Sequence, residues 1–324
     1  MRSRCRRVVR SMTAPVRRGA LVLLYHRAAI LEADPWRLAV TPAHFDEHLD
    51  ILARCTHPAT VGGLLETMNA GRIQERTVVV TFDDGYADLA TAVRPRLERA
   101  GVPATMFLVS RAIGRQTEFW WDALERAVWG ASVRAEPLRL TIGGSTGTWD
   151  VATAPTRSEV YREIWSALRE RPPSERDRLV ESVLDWAGVA PTARPSHRTL
   201  TNDELAALAV DDLVEIGTHT ADHPWLAGLS SAEQAHQVES GRAELEAVVG
   251  RPIDAFAYPH GGPADIGGAA DAVRAAGLST AFLAVAGLVR PSSDRLALPR
   301  LFVEDMDGEG FARLLWRHAG IRVS

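Results

Sequence analysis

Short β-rich runs alternate with amphipathic helical runs along most of this 324-residue chain. The run at residues 78–82 is almost continuously apolar, which is typical of a parallel strand buried on both faces. Such alternation predicts a parallel sheet with crossover helices, either a barrel or an open doubly wound sheet. The predicted strands are Leu21–Tyr25, Val78–Phe82, Thr105–Val109, Leu213–Gly217, Ala255–Tyr258, Thr280–Val285 and Leu298–Val303.

Three of the helical runs have clear start or stop signals. The first, Thr41–Arg54, opens with Thr-Pro, which predicts an N-cap followed by proline in the first turn. The second, Tyr86–Ala100, stops before a glycine. The third, Ser230–Val249, has a glutamate three residues after its first serine, the spacing of a capping box, and also stops before a glycine.

The segment from about 117 to 197 interrupts this alternation. Its strand signal is weak, and it holds six of the nine tryptophans. Two short β runs around Gly143–Ser145 predict a hairpin, and helical runs follow at about Ser158–Arg171 and Ser174–Ala187. We interpret this segment as a mostly helical insertion between two strands, in which most of the tryptophans pack against one another.

Composition limits the class of protein. A hydrophobic content of 46% can form a full core, as one large barrel or as two smaller domains. The net charge of -4 gives no indication of a nucleic-acid partner. Five arginines among the first ten residues are the exception. We expect residues 1–19 to be a disordered basic arm with at most weak contact to a membrane surface, followed by the main domain at 20–324.

Neither a membrane span nor a secretion signal is recognisable. A spanning helix needs roughly 20 apolar residues, and no stretch approaches that length. The residues after the basic start are too polar for a signal peptide. The two cysteines, Cys5 and Cys55, form neither a metal-binding spacing nor a disulfide framework. We therefore expect a cytoplasmic protein.

Two adjacent carboxylates follow the most hydrophobic strand. Thr81–Gly85 has the sequence Thr-Phe-Asp-Asp-Gly and places Asp83 and Asp84 at the edge where parallel α/β folds build active sites. Neighbouring residues of an extended chain point in different directions, so one carboxylate can bind a metal while the other faces water. Alone, this pair is better explained by capping of the following helix.

A second motif favours the metal interpretation. Gly217–His223 follows another predicted strand and contains His219 and His223, whose spacing puts both rings on one face of a helical turn. An isolated histidine pair is more often not a metal site, but two such motifs at two strand ends argue against coincidence. Two histidines and one aspartate leave positions open for water and substrate, as a catalytic metal site requires.

A third motif also lies at a strand end. Phe256–Gly262 has the sequence Phe-Ala-Tyr-Pro-His-Gly-Gly, and its proline and glycines predict an irregular turn. Backbone N–H groups exposed by such a turn can hold a developing oxyanion. Without the other two motifs, a plain tight turn is the simpler interpretation.

Together these motifs resemble the polysaccharide deacetylase family, carbohydrate esterase family 4. Members have a Thr-Phe-Asp-Asp-Gly motif, matched at Thr81–Gly85, and a His-Ser/Thr-x-x-His motif, matched at His219–His223. A third family motif with proline and an aromatic is matched more loosely at Tyr258–Gly261. The resemblance covers about residues 20–303 outside the insertion, and it implies an α/β fold, a distorted (β/α)7 barrel.

The resemblance also implies roles for the charged residues. Asp84, His219 and His223 would hold one divalent metal ion, usually zinc, with cobalt, nickel or manganese as alternatives. Asp83 would be the general base on the attacking water.

Further residues are expected to contact the substrate. The resemblance implies that the N–H of His260, which takes the place of the family's aromatic, stabilises the oxyanion, with Tyr258 and Pro259 beside it. Trp120 and Trp121 follow the preceding strand most closely, so we expect these two tryptophans to reach a sugar-binding groove.

Two of the family's residues are missing here. The arginine that starts the third motif and orients the base is replaced by Ala257. Arg300 is a candidate replacement, and an ordinary surface or interface arginine is an equal alternative. The late Leu-x-His motif, source of the general acid, is absent from Leu301–Asp305. His26, after the first strand, is the best substitute, and its alternative role is a hydrogen bond that orients Asp84.

These assignments predict a metal-dependent hydrolase that removes an N-acetyl group from an amino sugar. A glycoside, a lipid-linked glycan precursor and an oligosaccharide are all open as substrates. Deacetylases of wall polymers are usually exported, so we expect an intracellular substrate and a deeper, more selective pocket built by the insertion. Two other possibilities stay open: a non-catalytic carbohydrate-binding barrel, and a hydrolase of another small amide such as a formyl-amino sugar or cyclic imide.

Overall fold

The computed structural model describes residues 18–130, 136–151 and 153–323. Most of the expected basic arm, with its predicted disorder and membrane contact, therefore lies outside the described residues, as does Cys5. None of the helices in these ranges is both long and apolar enough to cross a membrane.

Strands and helices alternate through most of the described chain. The strands are β1 (Leu21–Tyr25), β2 (Arg27–Ala28), β3 (Ala39–Val40), β4 (His57–Ala59), β5 (Thr77–Phe82), β6 (Ala104–Leu108), β7 (Leu138–Ile142), β8 (Ser145–Trp149), β9 (Val214–Thr218), β10 (Ala255–Ala257), β11 (Thr280–Phe282) and β12 (Leu301–Phe302). The α-helices are α1 (Pro42–Cys55), α2 (Val61–Asn69), α3 (Arg94–Ala100), α4 (Trp120–Gly130), α5 (Ala154–Arg169), α6 (Pro173–Ala187), α7 (Asn202–Ala209), α8 (Ser231–Val249), α9 (Ala269–Ala275) and α10 (Gly308–Ala319).

Seven parallel strands form the central sheet, in the order β11-β10-β9-β6-β5-β1-β12, and β4 pairs with β5 beside them. A single parallel bridge between Phe282 and Leu298 brings β11 next to the segment that leads into β12. The sheet therefore curves round into an incompletely closed barrel with helices outside it. This confirms the predicted distorted (β/α)7 fold.

The strands are buried on both faces because alternate side chains enter different hydrophobic clusters. In β5, Val78, Val80 and Phe82 pack toward the outer helices. Val79 points to the opposite face and joins a cluster with Phe107. Burial on both sides explains why the strand is a continuous apolar run rather than an alternating one.

Two of the predicted helix starts are confirmed and one is wrong. The side chain of Thr41 accepts a hydrogen bond at the start of α1, and Ser230 begins α8 with a complete capping box. The run from Tyr86 does not enter a helix at once, because Tyr86 pairs with Thr199 in an isolated bridge. A π-helical turn at Leu89–Val93 then precedes α3.

The segment predicted as an insertion leaves the sheet after β6 and returns before β9, two strands that pair directly with each other. It consists of α4, the hairpin β7–β8, α5 and α6. These elements share a hydrophobic cluster of their own, which meets the barrel edge at Tyr86 and Val109. The insertion therefore packs against one side of the carboxyl edge of the sheet.

Candidate active site

Three loops at the carboxyl ends of β5, β9 and β10 converge on one cavity of about 380 Å³. Each loop is one of the motifs singled out in the sequence. Their side chains in the cavity wall are Asp83, Asp84, His219, His223, Tyr258 and His260.

Each of these loops contains a non-glycine residue with positive φ. The values are +75° at Asp84, +70° at Thr220, +51° at His223 and +62° at His260. Such conformations are strained for residues with a Cβ and persist only where the surrounding structure holds them.

The prediction that His219 and His223 share a helical turn is wrong. β9 ends at Thr218, and the chain then runs as a loop. Left-handed residues at positions 220 and 223 are incompatible with a right-handed helix. The hydroxyl of Thr220 instead accepts a hydrogen bond from the N–H of His223 at 3.0 Å, which folds the loop back on itself.

Asp84, His219 and His223 nevertheless come together. Asp84 Oδ1 lies 3.7 Å from His219 Nε2 and 3.6 Å from His223 Nε2, and one ligand atom from each residue lies within 4.8 Å of the others. His219 Nδ1 is 2.7 Å from the carbonyl of Ala257, which can only accept. This contact places the proton on Nδ1 and leaves the Nε2 lone pair facing the other two residues.

The electrostatics of this trio fit a cation. Asp84 Oδ1 is buried, and no donor among the described residues reaches it. Burial, with repulsion from Asp83, raises the pKa of Asp84 well above its usual range. Burial also lowers the pKa of His219 and, further, that of His223. Neutral imidazoles beside an uncompensated carboxylate are the donor set that a divalent metal takes.

Asp83 is held differently, by Arg300. The guanidinium donates to both carboxylate oxygens, at 2.6 and 2.7 Å. Burial opposes ionisation of Asp83, but the charge and hydrogen bonds of Arg300, together with the nearby His219 and His26, outweigh it, and the pKa of Asp83 is lowered. Arg300 has no exposed surface, so the alternative of a surface arginine is wrong. It approaches from the segment before β12 and supplies the charge that Ala257 cannot.

His26 lies in the cavity wall with its ring edge against Phe302. Its Nδ1 has no hydrogen-bond partner within the described part of the chain, and the alternative bond to Asp84 is not among the contacts there. Burial, opposed by Asp83, lowers the pKa of His26 to about 4. The imidazole is therefore neutral at pH 7.

The third motif forms a turn braced by its neighbours. Tyr258 lines the cavity while its hydroxyl donates to the carbonyl of Leu296. Pro259 is not part of the cavity wall, whereas His260 is, and its ring lies 4.9 Å from that of His223. No acceptor among the described residues is bonded to the N–H of His260. A Cβ at Gly261 would lie 2.5 Å from Ala284, so only glycine fits there.

Only one of the two expected tryptophans reaches the cavity. Trp121 lines it, with its ring 4.8 Å from that of His223 and its Nε1 donating to Tyr86. Trp120 does not line it and stacks beneath Trp165 instead. Successive residues of a helix point about 100° apart, so α4 turns one indole to the cavity and the other into the insertion.

Sequence reasoning missed part of the cavity wall beyond His260. Trp165 and Trp36 meet there at 4.3 Å between ring centroids, and Arg169 donates to Asp265 at 3.1 Å. The i,i+4 spacing of Trp165 and Arg169 on an amphipathic helix could have revealed a shared face. Nothing in the spacing could have revealed Trp36, which comes from a loop far away in the chain.

Comparison with known proteins then identifies the family. The family model described as polysaccharide deacetylase matches residues 70–169 and 183–280, together more than half of the chain. The chain belongs to the polysaccharide deacetylase family. A 74-residue stretch is 32% identical to a protein of Bacillus subtilis (strain 168) described as "Putative polysaccharide deacetylase YxkH". That match covers 22% of this chain and 26% of the curated relative's length.

Solved structures agree on the fold. Deacetylase PplD of Streptococcus pyogenes, in complex with acetate, superposes with a TM-score of 0.58 at 14% identity, over 93% of this chain and 98% of that chain. IcaB from Ammonifex degensii gives a TM-score of 0.59 at 18% identity, over 92% and 96% of the two chains.

The family match covers some site residues and not others. The Asp-Asp motif lies in the first matched range, and both histidine-containing motifs lie in the second. His26 and Arg300 lie outside both ranges, so their assignment depends on the geometry of the cavity alone.

Proposed function

We propose that this member of the family is a metal-dependent hydrolase that removes the N-acetyl group from an amino sugar. The products are acetate and a free amine. One observation carries the proposal: an oriented, ionised carboxylate and an Asp-His-His trio share one cavity wall. The proposed ligands are Asp84, His219 and His223, with zinc, cobalt, nickel or manganese as the ion.

Asp83 is the proposed general base. Its lowered pKa keeps it ionised, and the two hydrogen bonds from Arg300 fix the direction of its carboxylate. When bound, a divalent ion supplies Lewis-acid activation of the amide carbonyl and of the attacking water. Asp83 then accepts the proton of that water as the water attacks the carbonyl carbon.

The turn at residues 258–261 is the proposed oxyanion site. The N–H of His260 has no partner among the described residues and lies beside the trio, so it can donate to the developing negative charge. His26 is the proposed proton donor to the leaving amine. Its neutral imidazole can take a proton from Asp83 at one nitrogen and release one to the amine at the other, which agrees with its pKa of about 4.

The part of the lining that the insertion forms with Trp36 and Asp265 supports a small or terminal sugar as substrate. Trp36 and Trp165 contact each other in the cavity lining, and Arg169 with Asp265 adds polar groups to that lining. An aromatic face beside hydrogen-bonding groups suits a sugar ring. We propose that this wall makes a pocket for a glycoside, a lipid-linked sugar or the end of an oligosaccharide, rather than an open groove for a long polymer.

Replacement of the base tests the chemistry. In Asp83→Asn we expect kcat to fall by about 10³-fold, because the amide cannot accept the proton, while zinc binding by isothermal titration calorimetry is kept. Asp271→Asn, at an exposed position on α9, is the matched control and should keep full activity. Full acetate release by Asp83→Asn would refute the assigned base.

A panel of substrates tests the pocket. Zinc-loaded protein is incubated with simple N-acetylhexosamine glycosides, lipid-linked N-acetylhexosamines, long chitin, formylated analogues and cyclic imides. The expected result is acetate release with a preference for the short or lipid-linked sugars. Preference for long chitin would contradict the proposed pocket for a short or terminal sugar. Preference for formylated or imide substrates would show that the enzyme hydrolyses a different kind of amide. Sugar binding without turnover of any member would favour the carbohydrate-binding barrel.

A further inference from the structure

A buried arginine of the insertion reaches the loop that contains the two histidines. Arg176, on α6, is only 3% exposed. Its Nη1 donates to the carbonyl of His223 at 3.1 Å and its Nη2 to the carbonyl of Asp222 at 3.2 Å. Its guanidinium also lies 5.3 Å from the ring centroid of Trp120.

The two carbonyls belong to a strained stretch of backbone. His223 has a φ of +51°, and Thr220 before it has +70°. The Asp222 side chain is held from other directions, by Arg111 at 2.7 Å and Gln237 at 2.8 Å. Among the described residues, only Arg176 donates a hydrogen bond to the carbonyl of His223.

Charge does not explain the position of Arg176. Its acidic partner, Asp177, is half exposed and makes one contact of 3.1 Å, so burial of the guanidinium is poorly compensated by ion pairing. A positive charge near a proposed cation site also opposes metal binding by repulsion. What the guanidinium supplies is a planar fork that holds two adjacent carbonyls at once.

We propose that Arg176 is a positioning residue that holds the His219–His223 loop in its metal-binding conformation. Arg176 therefore makes the conformation of the proposed metal site depend on the packing of the insertion. The proposal rests on the metal site of the proposed function but not on the identity of the substrate. Arg176 also falls in the stretch between the two ranges that match the family.

The test measures metal affinity rather than turnover. Zn²⁺ is titrated by chelator competition into the full chain, as wild type, Arg176→Met, Arg176→Lys and Arg178→Met. Loss of a residue that hydrogen-bonds to a metal ligand typically lowers metal affinity by about 10–100-fold. We therefore expect Arg176→Met to bind Zn²⁺ at least about tenfold more weakly than wild type. Arg176→Lys, which keeps the charge and loses the fork, should lie between Met and wild type. Arg178, exposed on the same helix, should be neutral when replaced.

A second readout separates positioning from general destabilisation. In the Co²⁺-substituted proteins, we expect the visible absorption of Arg176→Met to differ from wild type and that of Arg178→Met to match it. If Arg176→Met does not fold, the Zn²⁺ affinity and Co²⁺ spectrum of Arg176→Lys are compared with wild type instead, and the same differences are expected. Zinc binding as tight as or tighter than wild type, with an unchanged Co²⁺ spectrum, would show that only repulsion was removed and would overturn the proposal.

Failure of the proposed function gives a different result. A wild type that binds Zn²⁺ tightly but releases no acyl group would refute the hydrolase and leave the role of Arg176 supported by the affinity series. A wild type that binds no Zn²⁺ would overturn both, because the site itself would be absent.

Discussion

The barrel edge and the insertion both line the cavity, but they contribute different kinds of group. The edge supplies ionisable residues from loops directly after buried strands, and two of them, Asp83 and His219, are fixed by short hydrogen bonds from Arg300 and to Ala257. The insertion supplies Trp121, Trp165 and Arg169 from the faces of two helices. The difference suggests that the edge performs the chemistry while the insertion selects the substrate, with Arg176 as a link between them.

Loss of a histidine ligand should give the largest effect, and it tests the edge. In His223→Ala, we expect Zn²⁺ affinity to fall by more than about 100-fold, because even the partners of metal ligands are worth 10–100-fold. His236→Ala, at an exposed position on α8, is the control. If calorimetry showed unchanged Zn²⁺ binding by His223→Ala, the metal site would not lie at the barrel edge. The proposed division of roles between the edge and the insertion would then be wrong.

Arg300→Met should change both the stability and the pH dependence. It leaves Asp83 buried and unpaired, which typically costs about 3–5 kcal/mol, measured as the free energy of unfolding. Burial then raises the pKa of Asp83, because the largest opposing charge has gone. The base is therefore protonated at low pH, and kcat/KM should rise with pH over a range where the wild type is flat.

The lysine variant refines this prediction. Arg300→Lys keeps a positive charge but can reach only part of the carboxylate, so its pH profile should lie between those of the wild type and Arg300→Met. Parallel pH profiles for all three proteins would show that Arg300 is purely structural.

Trp165→Ala tests the insertion. We expect KM for the best short substrate to rise about tenfold, the equivalent of about 1.4 kcal/mol of lost stacking, while kcat stays within about twofold. Trp186→Ala removes an indole of the same insertion that does not line the cavity, and it should leave both constants unchanged. A fall in kcat with unchanged KM would show that the insertion contributes to the catalytic step. It would contradict the division between a catalytic edge and a substrate-selecting insertion.

The same distinction explains how much of the molecule the sequence predicts. The fold and the motifs at the barrel edge follow from contiguous patterns, since an apolar strand, its polar end and the next helix are neighbours in the chain. The wall made by Trp36 and Trp165 joins two distant segments, and their spacing gives no indication of contact. On α4, the sequence predicts both Trp120 and Trp121 for the cavity, but the rotation of the helix decides which one faces it.

Two further residues show the limits of local patterns. Arg300 has equal sequence support as a base-orienting or a surface residue, because only the path of the chain before β12 directs it inward. The spacing of His219 and His223 suggests a helical turn. The observed loop depends instead on contacts from distant residues, such as the Ser110 N–H that donates to the carbonyl of Thr220 at 3.2 Å.

The smallest predicted effect concerns the joint between the two regions. Tyr86, at the barrel edge, donates to Asp122 of the insertion at 2.7 Å. Burial raises the pKa of Asp122 to about 7. A carboxyl group whose pKa is higher in the folded than in the unfolded chain destabilises the fold as pH rises from the unfolded pKa toward the folded one. Asp122→Asn should therefore become progressively more stable than wild type between about pH 4 and about pH 7.

The expected gain is about 1 kcal/mol at pH 8, because Asp122 is only half-buried and solvent screens part of the effect. It is measured as the difference in urea unfolding free energy at saturating Zn²⁺, so that pH-dependent terms common to both proteins cancel. Asp50→Asn, exposed on α1, should show a flat difference over the same range. A flat difference for Asp122→Asn as well would mean that the joint does not titrate, and that the edge and the insertion meet through packing alone.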